Sequence, residues 1–334
     1  MKSKRIGVVM GGTSAEREIS LRSGRAVARA LEKAGHDVVR LEIGNQLHAL
    51  KMLHEARLDL AFLALHGRLG EDGCIQGMLE LLGVPYTGSS VLASALAMDK
   101  LKAKELFRLH NVPTPPYYVY EGSMERAAIL ECHGSFGFPV MVKPRREGSS
   151  IGITRADDFD SLVNAIRVAQ GHDDSVLVER FIKGQEITVG ILDGRVLGAL
   201  EIAPAEGGVF DFQAKYQSKQ TQYFMPPRLP EGLNAGVLQL AEHAARALDV
   251  HGAVRVDLIV TEGRNEYVLE VNTLPGMTQT SLLPKIAEHA GLSFVELCEA
   301  IVASAKVHVR QSRSVREAAV VPMSAPAERL VATG

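Results

Sequence analysis

Residues 255–282 read RVDLIVTEGRNEYVLEVNTLPGMTQTSL, and the fold turns on how the first half of this stretch pairs with itself. Two short strands, Val254–Val260 and Tyr267–Asn272, are expected around a polar turn at Gly263. Successive strand side chains point to opposite faces. A hairpin folded symmetrically about its turn therefore sets Asp257 opposite Glu270 and Arg255 opposite Asn272, with all four on one face. Val256, Leu258, Val260, Leu269 and Val271 form the apolar opposite face. Two carboxylates facing each other across a ladder repel unless a positive charge lies between them. A half-solvated hairpin in which Arg255 neutralises one acid would satisfy that condition. A second arrangement uses the hard oxygens of Asp257, Glu270 and Asn272 to hold Mg²⁺ together with substrate phosphates. The NTLPGMTQTSL turn that follows carries hydroxyls and backbone N–H groups directly beyond the acidic strand, and it favours the metal and phosphate site.

The chain has 334 residues, 46% hydrophobic and 23% charged, which is enough for two or three domains with a substantial core. A net charge of −2 and the lack of a long basic stripe argue against a nucleic-acid partner. Cys74, Cys132 and Cys298 are widely spaced, as in a reducing compartment. The opening MKSKRIGVVMGG has an apolar run of only five residues before its Gly pair, which suits a buried first strand and is too short for a signal peptide. No stretch is long enough to span a membrane. A cytoplasmic globular protein is expected.

From the N-terminus the pattern alternates: strand Ile6–Met10, helix Glu18–Lys33, strand Val38–Ile43, a helical stretch to about Arg57, then strand Leu60–Leu65. Helix Ile75–Leu82, strand Val84–Tyr86 and helix Ser90–Met98 follow. Such alternation predicts an α/β domain over 1–98 with a doubly wound parallel sheet and ligands at its strand ends. Loops at those ends carry Gly11-Gly12, Glu16, His66 and GEDG at 70–73. The glycine pair lacks both the GxGxxG spacing and a P-loop lysine, which disfavours a dinucleotide fold or a Walker NTPase. Taken alone, a histidine such as His66 is more often a structural loop residue, and Glu16 reads also as an early helix-turn carboxylate.

A second segment, 99–185, opens with helix Asp99–His110 and a Pro-rich connection, then alternates strand and helix. Strand Val140–Lys143, a polar loop through Gly148, Ser149 and Ser150, and strand Ile151–Arg155 make a hairpin able to fold over phosphates with backbone N–H groups. The alternative, an exposed basic hairpin, is the less favoured, because Lys143 lies inside an apolar strand, where an idle lysine is costly. The third segment, 186–309, holds an antiparallel run, a long polar loop at 204–230 suited to an active-site lid, and the hairpin described first. Residues 310–334 show no sustained period and read as a disordered tail.

HGRxGEDG (66–73), MDK (98–100), VKPxxEGSSxG (142–152), VERFIKGQE (178–186), AKYxS (214–218), RVD (255–257) and EVNTLPGMTxxSL (270–282) occur in this order. Together they resemble the D-alanine–D-alanine ligase family of ATP-grasp enzymes, over residues 4–308. Leu69 stands where many members have glycine, and Arg180 where a lysine is frequent. The resemblance implies a two-part α+β ATP-grasp fold after the N-terminal domain, with ATP between the parts. It places Lys100, Lys143 and Lys215 on ATP phosphates and Ser149 and Ser150 in the phosphate-covering hairpin. Glu179 with the Arg180–Ile182 backbone would meet adenine, and Glu186 the ribose. Asp257, Glu270 and Asn272 would hold two Mg²⁺ ions, for which Mn²⁺ could substitute, with Glu270 between them. Glu16 and His66 would meet the first D-alanine, while Arg255, Gly276, Ser281 and Leu282 would hold carboxylates and a developing oxyanion. Tyr216 would tie the lid to Ser150 and Glu16. The implied reaction activates a carboxylate as an acyl phosphate, which a second amino acid's amine attacks.

Other readings remain open at this point. A different carboxylate–amine ligase would keep the metal hairpin but lose HGR and GEDG. A non-catalytic nucleotide sensor would lose a metal ligand or Arg255. A D-alanine–D-lactate or D-alanine–D-serine ligase is less favoured by Tyr216. The resemblance leaves room for a homodimer. Because the tail has no periodic apolar face, truncation after Val309 is expected to leave turnover and Tm nearly unchanged. A drop of many degrees in a thermal melt would show instead that the tail docks.

Overall fold

The computed structural model describes residues 3–203 and 221–309. The expected tail and the lid residues Lys215 and Tyr216 lie outside them. Three sheets organise the chain.

In the first sheet, β1 (Arg5–Gly11) runs parallel to β2 (Asp37–Ile43) on one side and to β3 (Leu60–Leu63) on the other. The helices divide between its faces. α1 (Arg17–Lys33) packs Val27, Ala28 and Leu31 with Ile6, Val8 and Met10. On the other face α2 (Gln46–Glu55) and α3 (Cys74–Leu82) supply Leu53, Ile75 and Leu79 against Val9 and Leu63. This is the doubly wound arrangement that the alternation implied. The expected strand at Val84–Tyr86 is reduced to a single bridge between Ala61 and Tyr86, and Tyr86 also bridges to Lys306. Pro85 has no N–H to donate, so the ladder cannot extend through it. After α4 (Val91–Met98), the Asp99 side chain accepts from the Lys102 N–H and caps α5 (Lys100–Leu109).

The second sheet is antiparallel, in the order β4 (Tyr117–Tyr120), β7 (Val176–Arg180), β5 (Val140–Pro144), β6 (Thr154–Ala156). α6 (Arg126–His133) and α7 (Phe159–Gln170) cover it, burying Ile129, Leu162 and Ile166 against Val140, Val142 and Val178. A capping box between Asp158 and Ser161 starts α7. Strand β6 begins later than the sequence suggests. Ser149, Ser150 and Gly152 all have positive φ, and turns from Ile151 N–H to the Gly148 carbonyl and from Ile153 N–H to the Ser150 carbonyl keep this part of the chain out of the ladder.

The third sheet is also antiparallel, in the order β10 (Gln222–Phe224), β9 (Arg195–Ala203), β8 (Gln185–Leu192), β11 (Ala253–Val260), β12 (Glu266–Asn272). The loop expected to run to Pro230 therefore rejoins the sheet earlier, at β10. Arg228 fixes this return: its backbone N–H and guanidinium bond Glu201 at 2.7–3.1 Å. Burial alone would raise the Glu201 carboxyl, but the Arg228 bonds outweigh it and hold it below its ordinary pKa. α8 (Glu231–Ala247) lies beneath this sheet, and α5 joins it there. Ala103 and Phe107 share a core with Ile187, Val189, Val254, Val256 and Val237. Although α5 opens the second segment in sequence, it packs with the third sheet.

α9 (Leu282–His289) and α10 (Phe294–Ala303) then return to the first sheet, where Leu283, Ala287, Leu297 and Ile301 pack with Ile6, Val8 and Leu21. Among the described residues, no helix is long and apolar enough to cross a membrane.

Phe107 is fully buried at the junction of α5 and the third sheet. Phe107→Ala is expected to cost about 3–5 kcal/mol in urea unfolding. A cost below about 1 kcal/mol, small for a buried aromatic, would show that α5 does not share that core.

Candidate active site

The hairpin forms in the expected register, with Arg255 opposite Asn272 and Asp257 opposite Glu270. A bulge follows, so that Leu258 faces Val268 and Leu269 is the extra residue. Val268 therefore takes the core position expected for Leu269, and Leu269 instead lines a cleft beside Asp257, Ile259 and Glu270. Asp257 is 5% exposed. Arg255 bonds it through both carboxylate oxygens at 2.9 Å, Thr188 Oγ1 donates at 2.6 Å and Asn272 Nδ2 at 3.2 Å. Among the described residues, no three His, Cys, Asp or Glu side chains gather as a metal-holding group. Asp257, Glu270 and Asn272 supply two acids and one amide, a hard-oxygen set that needs further ligands from a substrate.

The cleft on one side of the hairpin is a cavity of about 420 Å³ between the second and third sheets. Lys143, Ser150, Glu179, Arg180, Ile182 and Glu186 line it together with Asp257 and Glu270. Its volume lies within the range of small-molecule sites. Lys143 Nζ pairs with Glu179 Oε2 at 2.6 Å, and Lys104 Nζ lies 2.9 Å from Glu179 Oε1. Burial would raise the Glu179 carboxyl, but the two lysines outweigh it and hold it below its ordinary range. The N–H groups of Arg180 and Phe181 bond the Pro116 and Pro139 carbonyls. The Arg180 side chain turns to the Phe136 carbonyl and lies 5.1 Å over the Phe136 ring. Lysine and arginine can both turn away in this manner, which accounts for the departure at this position.

A second cavity, on the other side, is lined by Glu16, His66, Lys100, Arg255, Gly276, Ser281 and Leu282. Glu270 lines this cavity as well as the first, so it stands in the wall between them. Lys100 is buried, and its ammonium bonds the Glu147 carbonyl. Burial lowers its pKa, with Glu270 opposing. At the tip of the β5–β6 hairpin, Ser149 rather than Ser150 donates to Glu16 Oε1, while Ser150 lines the other cavity. Two consecutive left-handed residues, with φ of 48° and 59°, send the adjacent hydroxyls to different sides. A Cβ at Gly148 would lie 2.8 Å from Glu16 Oε2, so a side chain there would have to displace the Glu16 carboxylate.

His66 is 5% exposed, and burial lowers its pKa to about 4. The Leu274 backbone opposes that shift, and Nε2 of the ring has no hydrogen-bond partner among the described residues. It is a neutral imidazole at physiological pH. Leu69 of the same loop has φ of 67°, a conformation that glycine adopts freely and that costs another residue about 1–2 kcal/mol. On the far wall, Ser281 stands at the N-cap of α9 and accepts from the Thr278 N–H at 3.0 Å. The N–H groups of the first turn lack intrahelical acceptors and favour an anion there.

The sequence reading missed two groups. Lys104 is 1% exposed and stands behind Glu179. Its signal was the helical face Lys100, Ala103, Lys104, Phe107, where a lysine shares the apolar stripe. Glu71 of the GEDG motif lines the second cavity and accepts from the Gly67 N–H at 2.7 Å. Burial first, and then the charge of Glu16, push its pKa up to about 8.

Comparison with known proteins follows the same lines. The D-ala D-ala ligase C-terminus family model matches residues 106–303, and the D-ala D-ala ligase N-terminus model matches residues 48–89. The D-alanine–D-alanine ligase of Geobacter sulfurreducens is 48% identical over 311 residues, covering 93% of this chain and 96% of that protein. That of Trichlorobacter lovleyi is 49% identical, covering 93% and 98%. Among solved structures, the D-alanine–D-alanine ligase from Bacillus anthracis complexed with ATP superposes with a TM-score of 0.78 at 34% identity, covering 90% of this chain and 97% of that one. The VanG D-Ala:D-Ser ligase from Enterococcus faecalis gives a TM-score of 0.78 at 30% identity, covering 92% and 100%.

The Glu71 shift has a measurable consequence. An acid whose pKa rises from 4.5 to about 8 on folding binds more protons folded than unfolded across that window. Its stabilising contribution is full below pH 4.5 and is lost as pH rises through about 8. The metal-free wild-type protein should therefore lose stability between those limits, and Glu71→Gln should flatten the fall. Parallel Tm-versus-pH curves for the two proteins would show that Glu71 carries no such shift.

Proposed function

The chain belongs to the D-alanine–D-alanine ligase family, and from that premise we infer that it joins two D-alanines into D-alanyl-D-alanine, converting ATP to ADP and phosphate in peptidoglycan precursor synthesis. The observation that carries this reading to the residues is the position of Glu270. It faces Asp257 across the ladder and lines both the cavity assigned to nucleotide and the cavity assigned to amino acids.

A carboxylate is a poor electrophile, so the first D-alanine must be activated before an amine can attack it. Transfer of the ATP γ-phosphoryl group makes an acyl phosphate; the amine of the second D-alanine then attacks, and phosphate leaves. Phosphoryl transfer depends mostly on positioning and charge neutralisation. Lys143 and Lys100 border the two cavities and supply cations from the second sheet and from α5. Glu179 accepts from the adenine amine. The backbone at Ile182 completes the base contact, because the N–H groups of Arg180 and Phe181 are already used within the protein. Glu186 takes the ribose, and Lys215 reaches the γ-phosphate from the lid. Asp257, Glu270 and Asn272 would hold the divalent cations, for which we propose two Mg²⁺ ions; their hard oxygens fit that role. When bound, these ions neutralise phosphate charge and polarise the transferring group.

Glu16 receives the ammonium of the first D-alanine, with neutral His66 alongside. Arg255, the Gly276 N–H and the start of α9 at Ser281 and Leu282 hold carboxylates and the developing oxyanion. A Cβ at Gly276 would lie 2.8 Å from Ser281 Oγ, so a larger residue would press on the start of α9. Tyr216 closes the lid towards the Ser149–Ser150 turn, with water excluded from the acyl phosphate. The substrates are small molecules, and the demand for ATP places the protein in the cytoplasm.

A phosphate-release assay with ATP and Mg²⁺, run across D-alanine, L-alanine, D-serine and D-lactate, tests the assignment. Release that requires D-alanine and yields dipeptide is expected; faster release with D-lactate or D-serine as second substrate would move the chain to those ligases. Glu270→Gln removes the charge at the shared wall and is expected to lower kcat on the order of 10³-fold or more. Near-normal turnover would return Glu270 to a structural role.

A further inference from the structure

We propose that Lys104 is a positioning residue for base selection: from behind Glu179 it holds that carboxylate in place as an anion when Lys143 turns to the phosphates, leaving Glu179 to accept the amino group of adenine. This inference rests on the nucleotide reading of the cavity between the second and third sheets.

Lys143 and Glu179 are both assigned to ATP, yet in this structure they are bonded to each other at 2.6 Å. Both assignments hold only if that pair opens on binding, with Lys143 going to the phosphates and Glu179 to the base. Opening it would strand a carboxylate that is 2% exposed. A buried carboxylate without a cation takes up a proton, and a protonated acid no longer discriminates an amino group from a carbonyl. Lys104 prevents this. It lies 2.9 Å from the other oxygen, Oε1, and does not line the cavity, so a nucleotide would not displace it. Beyond that ion pair Oε1 has no hydrogen-bond partner among the described residues, so it keeps the capacity to accept one from a ligand.

Lys104 is itself fixed by its surroundings. Nζ donates to Thr114 Oγ1 at 2.5 Å, and Thr114 donates to the Val268 carbonyl of β12 at 2.9 Å. The Tyr117 ring lies under the ammonium, 5.7 Å from centroid to Nζ. Lys104 thus joins β7 of the second sheet to β12 of the third. Burial lowers its pKa and Glu179 opposes that, consistent with a cation held in place by its partner.

The test is calorimetric binding of ADP and of inosine diphosphate, whose 6-oxo group offers no amino hydrogens, to wild type, Lys104→Met, Thr114→Val and Glu179→Gln. Wild type should prefer ADP on the order of ten- to a hundredfold, as for a hydrogen bond to a charged group. Lys104→Met should bring the two affinities to within about threefold. Thr114→Val, which keeps the shape and loosens the ammonium, should shift the ratio in the same direction by less. In Lys104→Met the ratio should also fall as pH is lowered, because a lone Glu179 protonates; the wild-type ratio should not move, and a merely structural lysine would produce no such pH dependence. If Glu179→Gln loses the preference while Lys104→Met keeps it, the role of Lys104 is overturned and the base contact stands. If wild type does not distinguish the two nucleotides, the base contact falls and the inference with it. Should Lys104→Met not fold, an unchanged ratio in Thr114→Val overturns the proposal.

Discussion

Asp257 and Glu270 face each other across one rung of a β-ladder, and the rest of the molecule is arranged around that repulsion. β11 lies between β8 and β12, with Val254, Val256 and Leu258 fully buried beneath it, so neither acid can retreat into solvent by moving the strand. Arg255 reaches Asp257 along the same strand, and Thr188 and Asn272 reach it from the strands on either side. Removing one carboxylate's partner in such a site leaves a charge with nowhere to go, a loss larger than the pair's own net contribution. The chain's other segments bring further charge to the same place: Lys143 from the second sheet, Lys100 from the start of α5, and Glu16 from the first domain. α9 packs on the third sheet through Leu282 and Ile286 and on the first through Leu283 and Ala287, which joins the two sheets around it.

Much of this was legible in the sequence because it depends on local periodicity. The period-two alternation of 254–260 and 267–272 and the turn at Gly263 determined which acids face each other, and the structure has that register. What escaped depends on contacts that period does not encode. A bulge inserts one residue and reverses the faces beyond it, which moved Leu269 from core to cleft. Ser149 and Ser150 differ only in the direction that two left-handed residues send them. β10 forms because Arg228, from beyond it, pins the chain to Glu201, a pairing between residues 27 apart. Lys104 occupies an apolar helical face, and only the tertiary fold brings Glu179 opposite it. Glu71 resembles any surface loop acid until burial and Glu16 act on it. Positions defined by spacing were readable; those defined by a partner from another sheet were not.

The two cavities hold different sets of charged groups, and under the proposed function those sets orient the substrates. On the nucleotide side, Lys143 and Lys104 share one buried carboxylate, Glu179, while Glu186, Asp257 and Glu270 bring negative charge to the same cleft. On the amino-acid side, Glu16 and Glu270 stand against Lys100 and Arg255, Glu71 is held largely as the neutral acid, and the Arg255 charge is largely committed to Asp257. There the proposed function turns the ammonium of an amino acid towards Glu16 and its carboxylate towards Arg255 and the start of α9. A triphosphate entering the first cavity meets the acids Asp257 and Glu270 as well as Lys143. The shared wall is the difficult point. Glu270 would repel both a γ-phosphate and a substrate carboxylate across it. Under the proposed function, divalent cations shared by Glu270, Asp257 opposite it and Asn272 further along the Glu270 strand would offset that repulsion.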